Sequence, residues 1–222
     1  MILLELFAGT RSISKAFEKE GFKTFSIEWD KQFENIDLYE DISKITANDI
    51  IGLCNGVPDV IWASPDCTTY SVAGISHHRK KEGNNLVPIS DYATFCDNTN
   101  KHVIELIKEL KPKYWFIENP RGALRKMHFM GGLPRYTVTY CQYGDTRMKP
   151  TDIWTNFEKP GFKPPCKNGD KCHEPAPRGS KTGTQKLKNA KEKAVIPEEL
   201  CNYIAKICKL KIEGEQNGKN KN

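Results

Sequence analysis

Residues 1–12 read MILLELFAGTRS, and this stretch decides the expected fold. An apolar run at residues 2–7 is typical of a buried strand, and helix-like spacing begins at Ser12. Between them lies a turn of small residues, Ala8-Gly9-Thr10, which lets a ligand approach the backbone and the N-terminus of the helix. An ordinary tight turn has the same composition. The stretch by itself therefore leaves open both a binding turn and a plain connection.

The same alternation continues along the first 120 residues. Further apolar runs occupy residues 23–28, 59–63 and 114–118, and helix-like stretches occupy residues 12–20 and 102–110. This βαβ rhythm predicts an α/β fold with a doubly wound, mostly parallel, Rossmann-like sheet. Because ligands bind at the carboxyl ends of the strands in such sheets, the polar turn after each run is a candidate binding segment.

An acid and an aromatic residue follow the second apolar run. Glu28 stands about 20 residues after the first turn, where Rossmann-like folds keep an acid for ribose hydroxyls, and Trp29 can stack on an adenine ring. The alternative is a surface acid next to a core tryptophan. Further on, Asp41 precedes Ile42 and can accept a hydrogen bond from an adenine amine. A helix N-cap is its competing role.

A cysteine follows the third apolar run, in the segment SPDCTTYS at residues 64–71. A thiol such as Cys67 on a strand-end turn is placed for nucleophilic chemistry, although a single cysteine is more often an inert buried residue. Glu118 ends the next apolar run and is soon followed by Arg121. If the two strands are neighbours, the thiol, the carboxylate and the guanidinium converge.

Together these segments resemble the DNA cytosine carbon-5 methyltransferases, over residues 2–156 and in the family's order. Residues 4–9 are similar to its first motif, Glu28-Trp29 to its second, Asp41-Ile42 to its third, the Pro65–Cys67 loop to its fourth and residues 118–120 to its Glu-Asn-Val motif. Residues 142–149 resemble a degenerate Gln-x-Arg-x-Arg motif, and residues 195–200 resemble the final motif. The short length suggests a phage-like or mobile-element-like member.

The resemblance implies S-adenosylmethionine (SAM) as cofactor, double-stranded DNA as partner and a target cytosine flipped out of the helix. A Cys67 thiolate would add to ring carbon 6 while Glu118 acts on the ring nitrogen. The implied catalytic residues are Cys67, Glu118 and Arg147. The implied SAM-binding residues are Phe7, Ala8, Gly9, Thr10, Glu28, Trp29, Asp41, Ile42 and Pro65. The implied DNA-binding residues are Ser71, Arg121 and Lys149.

The sequence departs from the family pattern around the nucleophile. Asp66 stands where the family usually has the proline that directly precedes the cysteine, and Thr68 stands where a glutamine is frequent. A carboxylate beside a thiol raises the thiol pKa unless it points away or pairs with a cation. In the Glu-Asn-Val motif Pro120 replaces valine, which stiffens the turn without removing Glu118.

Other functions remain open on these residues. One is a pseudoenzyme that binds DNA or cofactor without turnover, and another is a related enzyme that acts on RNA or transfers a modified one-carbon group. A methyltransferase for adenine or for exocyclic amines is disfavoured. Such enzymes use an Asp/Asn-Pro-Pro-aromatic loop and need no thiol.

The segments map onto four expected regions. A SAM-binding catalytic domain occupies residues 1–156, and a reduced target-recognition or zinc-binding insert occupies residues 157–196. A helix at residues 197–213 packs back on the catalytic domain, and residues 214–222 form a disordered tail. Within the first region, the polar stretch at residues 72–100 is expected to be a lid, a binding loop or a disordered segment, because it is too long for a plain connection.

The insert carries three metal-ligand side chains within eight residues, Cys166, Cys172 and His173. A structural zinc ion would stabilise such a loop-rich segment, with Cys141 or another distant residue as fourth ligand. The spacing is not that of a standard zinc finger, and the adjacent Cys172-His173 pair is awkward for one ion. Residues 178–193 are rich in lysine, which suits a surface that follows phosphates, although a solvated basic loop is the plain alternative.

Composition adds weaker constraints. The net charge of +6 suits a polyanionic partner, but many proteins that bind no polyanion are equally basic. The eight cysteines are scattered and no signal peptide precedes them, which favours a reducing, cytoplasmic location over a secreted disulfide scaffold. No apolar run approaches the roughly 20 residues that a membrane span requires.

Overall fold

The structure is a computed structural model and describes residues 1–175 and 190–219. Its strands are β1 (Ile2–Leu6), β2 (Lys23–Glu28), β3 (Leu38–Tyr39), β4 (Val60–Ala63), β5 (Arg79–Glu82), β6 (Asn85–Pro88), β7 (Tyr114–Pro120), β8 (Arg135–Thr139) and β9 (Pro150–Thr155). Its helices are α1 (Ser12–Lys19), α2 (Ala47–Cys54), α3 (Ile75–His78), α4 (Asp91–Leu110), α5 (Ala190–Ala194) and α6 (Glu198–Lys219).

Seven strands form one sheet in the order β3-β2-β1-β4-β7-β9-β8. The first five are parallel, whereas β9 runs antiparallel to both β7 and β8. The order turns back between β1 and β4, which is the switch point where doubly wound sheets bind their ligands. The expected Rossmann-like α/β fold is confirmed. Strands β8 and β9 form an antiparallel pair at the edge of the sheet.

Two hydrophobic cores fill the two faces of the sheet. Strand β4 lies at the centre and is buried on both sides, so that Val60 and Trp62 pack on one face while Ile61 and Ala63 pack on the other. Helices α1 and α6 cover the first face, and helices α2 and α4 cover the second. An all-apolar strand of this kind is what a parallel sheet with helices on both faces requires.

A buried acid closes the N-terminus of α1. Arg11 at the N-cap position accepts no capping hydrogen bond, because its side chain has only donors, and Glu5 of β1 supplies the acceptor instead. The Glu5 carboxylate accepts hydrogen bonds from the backbone N–H groups of Ile13 and Ser14, at 3.3 and 2.9 Å. Burial raises the pKa of Glu5 to about 7 in spite of these hydrogen bonds. Glu5 thereby fixes the position of the N-terminus of α1 relative to β1.

The stretch at residues 72–100 is more ordered than the sequence predicted. It forms α3, the antiparallel β5–β6 hairpin and the first half of α4, so the expectation of one long loop is wrong. Helix α4 begins at Asp91 rather than near residue 102. Ser90 is its N-cap and accepts a hydrogen bond from the backbone N–H of Ala93.

The last helix is also longer than predicted. Helix α6 continues to Lys219, so residues 214–219 are helical and not the disordered tail that the sequence suggested. Its apolar side packs against α1, with Leu200 and Ile204 fully buried, and Tyr114 donates a hydrogen bond to Glu215 near the end of the helix. These contacts explain why the helix extends past Gly214, where the apolar pattern weakens.

The segment after β9 has little regular structure. Residues 157–175 form turns and extended chain, and α5 follows at Ala190–Ala194. Residues 176–189, which hold most of the predicted basic segment, lie outside the described residues, as do residues 220–222. Among the helices of the described part, none is long and apolar enough to cross a membrane.

Candidate active site

The loop after β4 carries the predicted nucleophile. Residues Thr68–Tyr70 form a short 3₁₀ turn, and the backbone carbonyl of Cys67 accepts hydrogen bonds from the N–H groups of Tyr70 and Ser71. Asn119, at the end of β7, donates its side-chain N–H to the carbonyl of Pro65 at 2.8 Å. The cysteine loop is therefore fixed both by its own turn and by the neighbouring strand.

Cys67 lies among charged groups of both signs. Burial raises the pKa of the Cys67 thiol to about 11, and the nearby carboxylates of Asp66 and Glu118 raise it further, while Lys149 acts in the opposite direction. The sequence predicted the effect of Asp66. The thiol of the ligand-free protein is thus protonated near neutral pH, and a thiolate requires a change in these surroundings.

Glu118 is buried at the end of β7. Its pKa is raised, chiefly by burial, while the charge of Lys149 and a hydrogen bond from the Tyr140 hydroxyl lower it. The hydroxyl of Tyr140 donates to Glu118 Oε1 at 3.0 Å. A carboxyl group with a raised pKa can carry a proton and donate it to a neighbouring base.

The turn between β8 and β9 contains two basic side chains with different partners. Arg147 forms an ion pair with Asp145 in the same turn, with its Nε 2.9 Å from Asp145 Oδ1. The Lys149 ammonium lies 4.6 Å from the centre of the Tyr140 ring. Burial lowers the pKa of Lys149, whereas the charges of Glu118 and Cys67 raise it. Lys149 therefore acts on the charges of Cys67 and Glu118. Arg147, which the sequence predicted as catalytic, pairs with Asp145 in its own turn instead.

The other two predicted DNA-binding residues lie at the rim of this centre. Arg121 is exposed just after β7, and its backbone N–H donates to the carbonyl of Pro150 at 2.8 Å. Ser71 donates its hydroxyl to the carbonyl of Thr68 and accepts from the backbone N–H of Gly74. The Ser71 side chain therefore has a part in shaping the cysteine loop.

A partly open pocket lies at the switch point of the sheet, where doubly wound folds bind their ligands. Five predicted SAM-binding residues contribute to its wall: Phe7, Trp29, Asp41, Ile42 and Pro65. Asp66, next to the nucleophile, also lines it, so the pocket reaches the cysteine loop.

Helix α4 supplies the rest of the pocket wall, which sequence reasoning missed. Its contributing residues are Tyr92, Phe95, Cys96, Thr99 and Asn100. The Phe95 ring stacks on Trp29 at 6.4 Å and on Tyr92 at 6.4 Å. The signal was present in the sequence, because Ser90 is a good N-cap and Ala93, Cys96 and Asn100 follow at helical spacing.

The remaining predicted cofactor residues build the first turn. The backbone N–H of Gly9 donates to Glu28 Oε2 at 3.0 Å, and the N–H groups of Trp29 and Asp30 donate to Oε1. Gly9 has a φ of +48°, a conformation that favours glycine. Ala8, Gly9, Thr10 and Glu28 are not among the residues that line the pocket.

Asp41 has the N-cap role that the sequence left open. Its side chain accepts hydrogen bonds from the backbone N–H and the hydroxyl of Ser43. It also lines the pocket, so capping and ligand contact are not exclusive at this position.

A buried ion pair supports the cysteine loop from the side of the β5–β6 hairpin. Arg79 forms two hydrogen bonds to the Asp97 carboxylate of α4, at 2.7 and 3.1 Å. Its Nε donates to the carbonyl of Thr69, and its guanidinium lies 4.2 Å from the centre of the Tyr70 ring. The sequence analysis did not single out Arg79, because a lone arginine among Lys80 and Lys81 resembles a solvated charge.

The three predicted metal ligands also meet. Cys166, Cys172 and His173 come together with Cys141, and their ligand atoms all lie within 4.8 Å of one another. This cluster lies at the junction between the β8–β9 turn and the insert, and none of its residues lines the pocket at the switch point of the sheet.

Known proteins share these features. The family model for C-5 cytosine-specific DNA methylases matches residues 1–130. A probable DNA (cytosine-5)-methyltransferase of Frog virus 3 (isolate Goorha) is 31% identical over 176 residues, which covers 78% of each chain.

Solved structures with similar folds include a DNMT2 variant from Spodoptera frugiperda and the methyltransferase EhMeth from Entamoeba histolytica. The first is 16% identical, with a TM-score of 0.47 over 71% of this chain and 51% of the other. The second is 15% identical, with a TM-score of 0.49 over 70% of this chain and 52% of the other. The chain spans about half the length of these two solved proteins.

The family match covers more than half of the chain, includes Cys67 and Glu118, and agrees with the viral relative. The chain belongs to the family of C-5 cytosine-specific DNA methylases, and the expected class of SAM-dependent DNA cytosine methyltransferase is confirmed at the level of the family.

Proposed function

We propose that this protein transfers a methyl group from SAM to carbon 5 of a cytosine flipped out of double-stranded DNA, through a covalent bond to Cys67. One observation carries the proposal: the paired strands β4 and β7 lead to Cys67 and Glu118 at the same edge of the sheet, and Lys149 packs on the ring of Tyr140, whose hydroxyl is hydrogen-bonded to Glu118. Nucleophile, proton donor and cation are the three groups that this chemistry needs around one ring.

The residues that line the pocket suit the chemistry of SAM. Phe7, Ile42 and Pro65 give apolar walls for a purine ring, and Trp29 offers an indole face that is 58% exposed. Asp41 adds a carboxylate that can accept from an amine. When bound, SAM would supply an electrophilic methyl carbon on a positively charged sulfur.

Cys67 acts on the cytosine ring in this proposal. Its thiolate adds to carbon 6, which makes carbon 5 electron-rich and able to accept the methyl group. Transfer of the carbon-5 proton to solvent water then re-forms the double bond between carbons 5 and 6 and expels the thiolate, and the ring nitrogen returns its proton to Glu118. The base has to leave the DNA stack first, because its ring faces are covered by neighbouring bases in the duplex.

Glu118 and Lys149 stabilise the negative charge that the thiolate brings to the ring. Glu118 donates a proton or a hydrogen bond to the ring nitrogen, a role for which its raised pKa prepares it. Lys149 places a positive charge in a buried site, where its attraction for the developing anion is stronger than in water. Lys149 thereby takes the role next to the base, and Arg147 together with Arg121 and Ser71 holds the flanking phosphates.

The test is conversion of cytosine in DNA that has been exposed to the protein and SAM. Bisulfite-type sequencing reads the modified base and its context, and a labelled methyl group gives the rate. We expect methylated cytosines with the wild-type protein and a loss of more than about 10³-fold for Cys67→Ser. Cys54→Ala, which changes a buried cysteine that does not line the pocket, serves as the matched control and should keep its activity.

A specific observation favours a second candidate, a pseudoenzyme that binds DNA and cofactor without turnover. The pKa of the Cys67 thiol is raised to about 11, which disfavours the nucleophilic form. Binding of SAM and DNA with no modified cytosine under any condition would support this second function. Methyl transfer by Cys67→Ser at the wild-type rate would contradict the covalent route.

A further inference from the structure

Four sulfur and nitrogen ligands converge beside the β8–β9 turn. Cys141 lies in the short 3₁₀ turn Tyr140–Tyr143 that follows β8, whereas Cys166, Cys172 and His173 come from the insert. Cys141 and Cys166 are buried, His173 is half-buried and Cys172 is exposed at the outer side. Two segments that are 25 residues apart in sequence thus meet at one point.

Three of the distances between the ligand atoms are close to those of a tetrahedral site, and all four atoms lie within 4.8 Å of one another. The Cys172–Cys141 sulfur pair is 3.6 Å apart, and His173 Nδ1 is 3.7 Å from Cys166 Sγ and 3.5 Å from Cys172 Sγ. A tetrahedral zinc ion with Zn–S bonds of about 2.3 Å places its sulfur ligands about 3.8 Å apart, and a sulfur and a nitrogen slightly closer. Cys172 and His173, although adjacent, both reach the common centre.

A disulfide is the competing use of these thiols. The Cys141 and Cys166 sulfurs are 3.1 Å apart, well beyond the roughly 2.05 Å of an S–S bond. A disulfide between them would also leave Cys172 and His173 directed at a point with no partner. Three thiolates and one imidazole are instead a standard closed ligand set for structural zinc, without a position for a substrate.

We propose that Cys141, Cys166, Cys172 and His173 bind one structural Zn²⁺, which fastens the insert to the turn that carries Arg147 and Lys149. The proposal is independent of methyl transfer, because it concerns a site outside the catalytic cluster. The metal ion would cross-link the 3₁₀ turn after β8, which holds Cys141, to the insert, which holds the other three ligands.

The contacts around the cluster explain why a cross-link is useful there. The backbone N–H of Cys166 donates to the Thr139 hydroxyl, and the N–H of Glu174 donates to the carbonyl of Thr146. The insert therefore touches the end of β8 and the turn after it, yet residues 158–175 have no regular secondary structure to hold them there. A metal ion supplies the folding energy that such a segment lacks.

Metal analysis of the purified full-length chain is the first test. We expect about one zinc per chain by elemental analysis, and a content near zero after Cys172→Ser or His173→Ala. Cys172 is the most suitable position because its side chain is exposed, so that its loss costs little core packing. Cys54→Ala, outside the cluster, should retain the full zinc content.

Replacement of zinc by Co²⁺ gives a readout that does not depend on how a variant folds. The wild-type chain should show the intense visible bands and thiolate-to-metal charge transfer of a tetrahedral thiolate site. Absence of both zinc and this spectrum, full zinc retention by Cys172→Ser, or an intact-mass and peptide map with a Cys141–Cys166 disulfide would each overturn the proposal.

Discussion

Asp66 is the residue that most changes the reactivity of the proposed nucleophile. It lies directly before Cys67 and its charge raises the thiol pKa, while its side chain also accepts a hydrogen bond from the backbone N–H of Thr68. An asparagine at this position keeps an oxygen acceptor for Thr68 and removes only the charge. The two effects of Asp66 are therefore separable.

We predict that Asp66→Asn makes Cys67 more reactive in the free protein. Because the pKa of Cys67 is about 11, the thiolate fraction and the alkylation rate of the wild type should rise about tenfold per pH unit between pH 7 and 9. Removing the neighbouring negative charge lowers that pKa, so the variant should react several-fold faster at each pH, as iodoacetamide labelling of Cys67 followed by mass spectrometry can measure. An unchanged or lower rate would contradict the assigned effect of Asp66.

Lys149 and Arg147 offer a second test at this scale. Lys149→Met keeps the length of the side chain and removes the charge beside Glu118 and Cys67, so kcat for methylation should fall about 10²-fold or more. Arg147 pairs with Asp145 and not with Cys67 or Glu118, and we propose that it contacts a flanking phosphate. Arg147→Met should therefore act mainly on KM for DNA. The reverse pattern, with kcat lost only in Arg147→Met, would restore Arg147 as the catalytic cation.

The role and the position of a residue were both predictable where a single sequence motif contains the reactive side chain and the strand end that places it. Cys67 and Glu118 follow strands whose carboxyl ends share an edge of the sheet, so their approach follows from the βαβ pattern. The partners of Arg147 and Lys149 were not predictable. They depend on how the turn between β8 and β9 bends, and a spacing of two residues does not reveal which side chain turns inward.

At the scale of elements, the β5–β6 hairpin and α4 act together to hold the cysteine loop. Arg79 from the hairpin pairs with Asp97 of α4, and the same guanidinium contacts Thr69 and Tyr70 of the loop. Tyr70 also donates its hydroxyl to Asp97 at 2.7 Å. One buried ion pair thus joins three segments.

We predict that Arg79→Met destabilises the protein by about 3–5 kcal/mol, because Asp97 would be left buried without its cation. Urea unfolding followed by circular dichroism measures the change. Lys80→Met, at an exposed position on the same strand, should change stability by less than about 0.5 kcal/mol. If Arg79→Met lowers the free energy of unfolding by less than about 1 kcal/mol, the ion pair between Arg79 and Asp97 does not stabilise the cysteine loop.

The same elements show where sequence patterns lose information. The first half of α4 was missed because Thr99 and Asn100 interrupt the apolar pattern that marks a buried helix face, although the N-cap at Ser90 marks where the helix begins. The extension of α6 was missed because contacts such as that between Tyr114 and Glu215 join residues distant in sequence. The start of α4 was therefore available from local capping, whereas the end of α6 depends on tertiary contacts.

At the scale of the whole molecule, the chain joins a family-typical catalytic sheet to a very small additional segment. The mostly parallel sheet and the polar residues at its strand ends followed from the alternation of apolar runs, whereas the order of the strands came from the structure. The metal ligands near the insert were predicted only in part. Cys166, Cys172 and His173 were identified from the sequence, whereas Cys141 was one candidate among others for the fourth ligand. Spacing alone gives no distance between segments that fold back from different strands.

The proposed function of the whole molecule rests on the covalent step at Cys67. DNA that contains 5-fluorocytosine isolates this step, because fluorine at carbon 5 cannot leave as a cation and the bond between the cysteine and carbon 6 is not released. Incubation of the wild-type chain with such DNA and SAM should give a complex stable to denaturing electrophoresis, with the modified peptide containing Cys67. Cys67→Ser should give none. The account would be contradicted if wild-type protein methylates ordinary DNA but forms no such complex, or if the adduct lies on a residue other than Cys67.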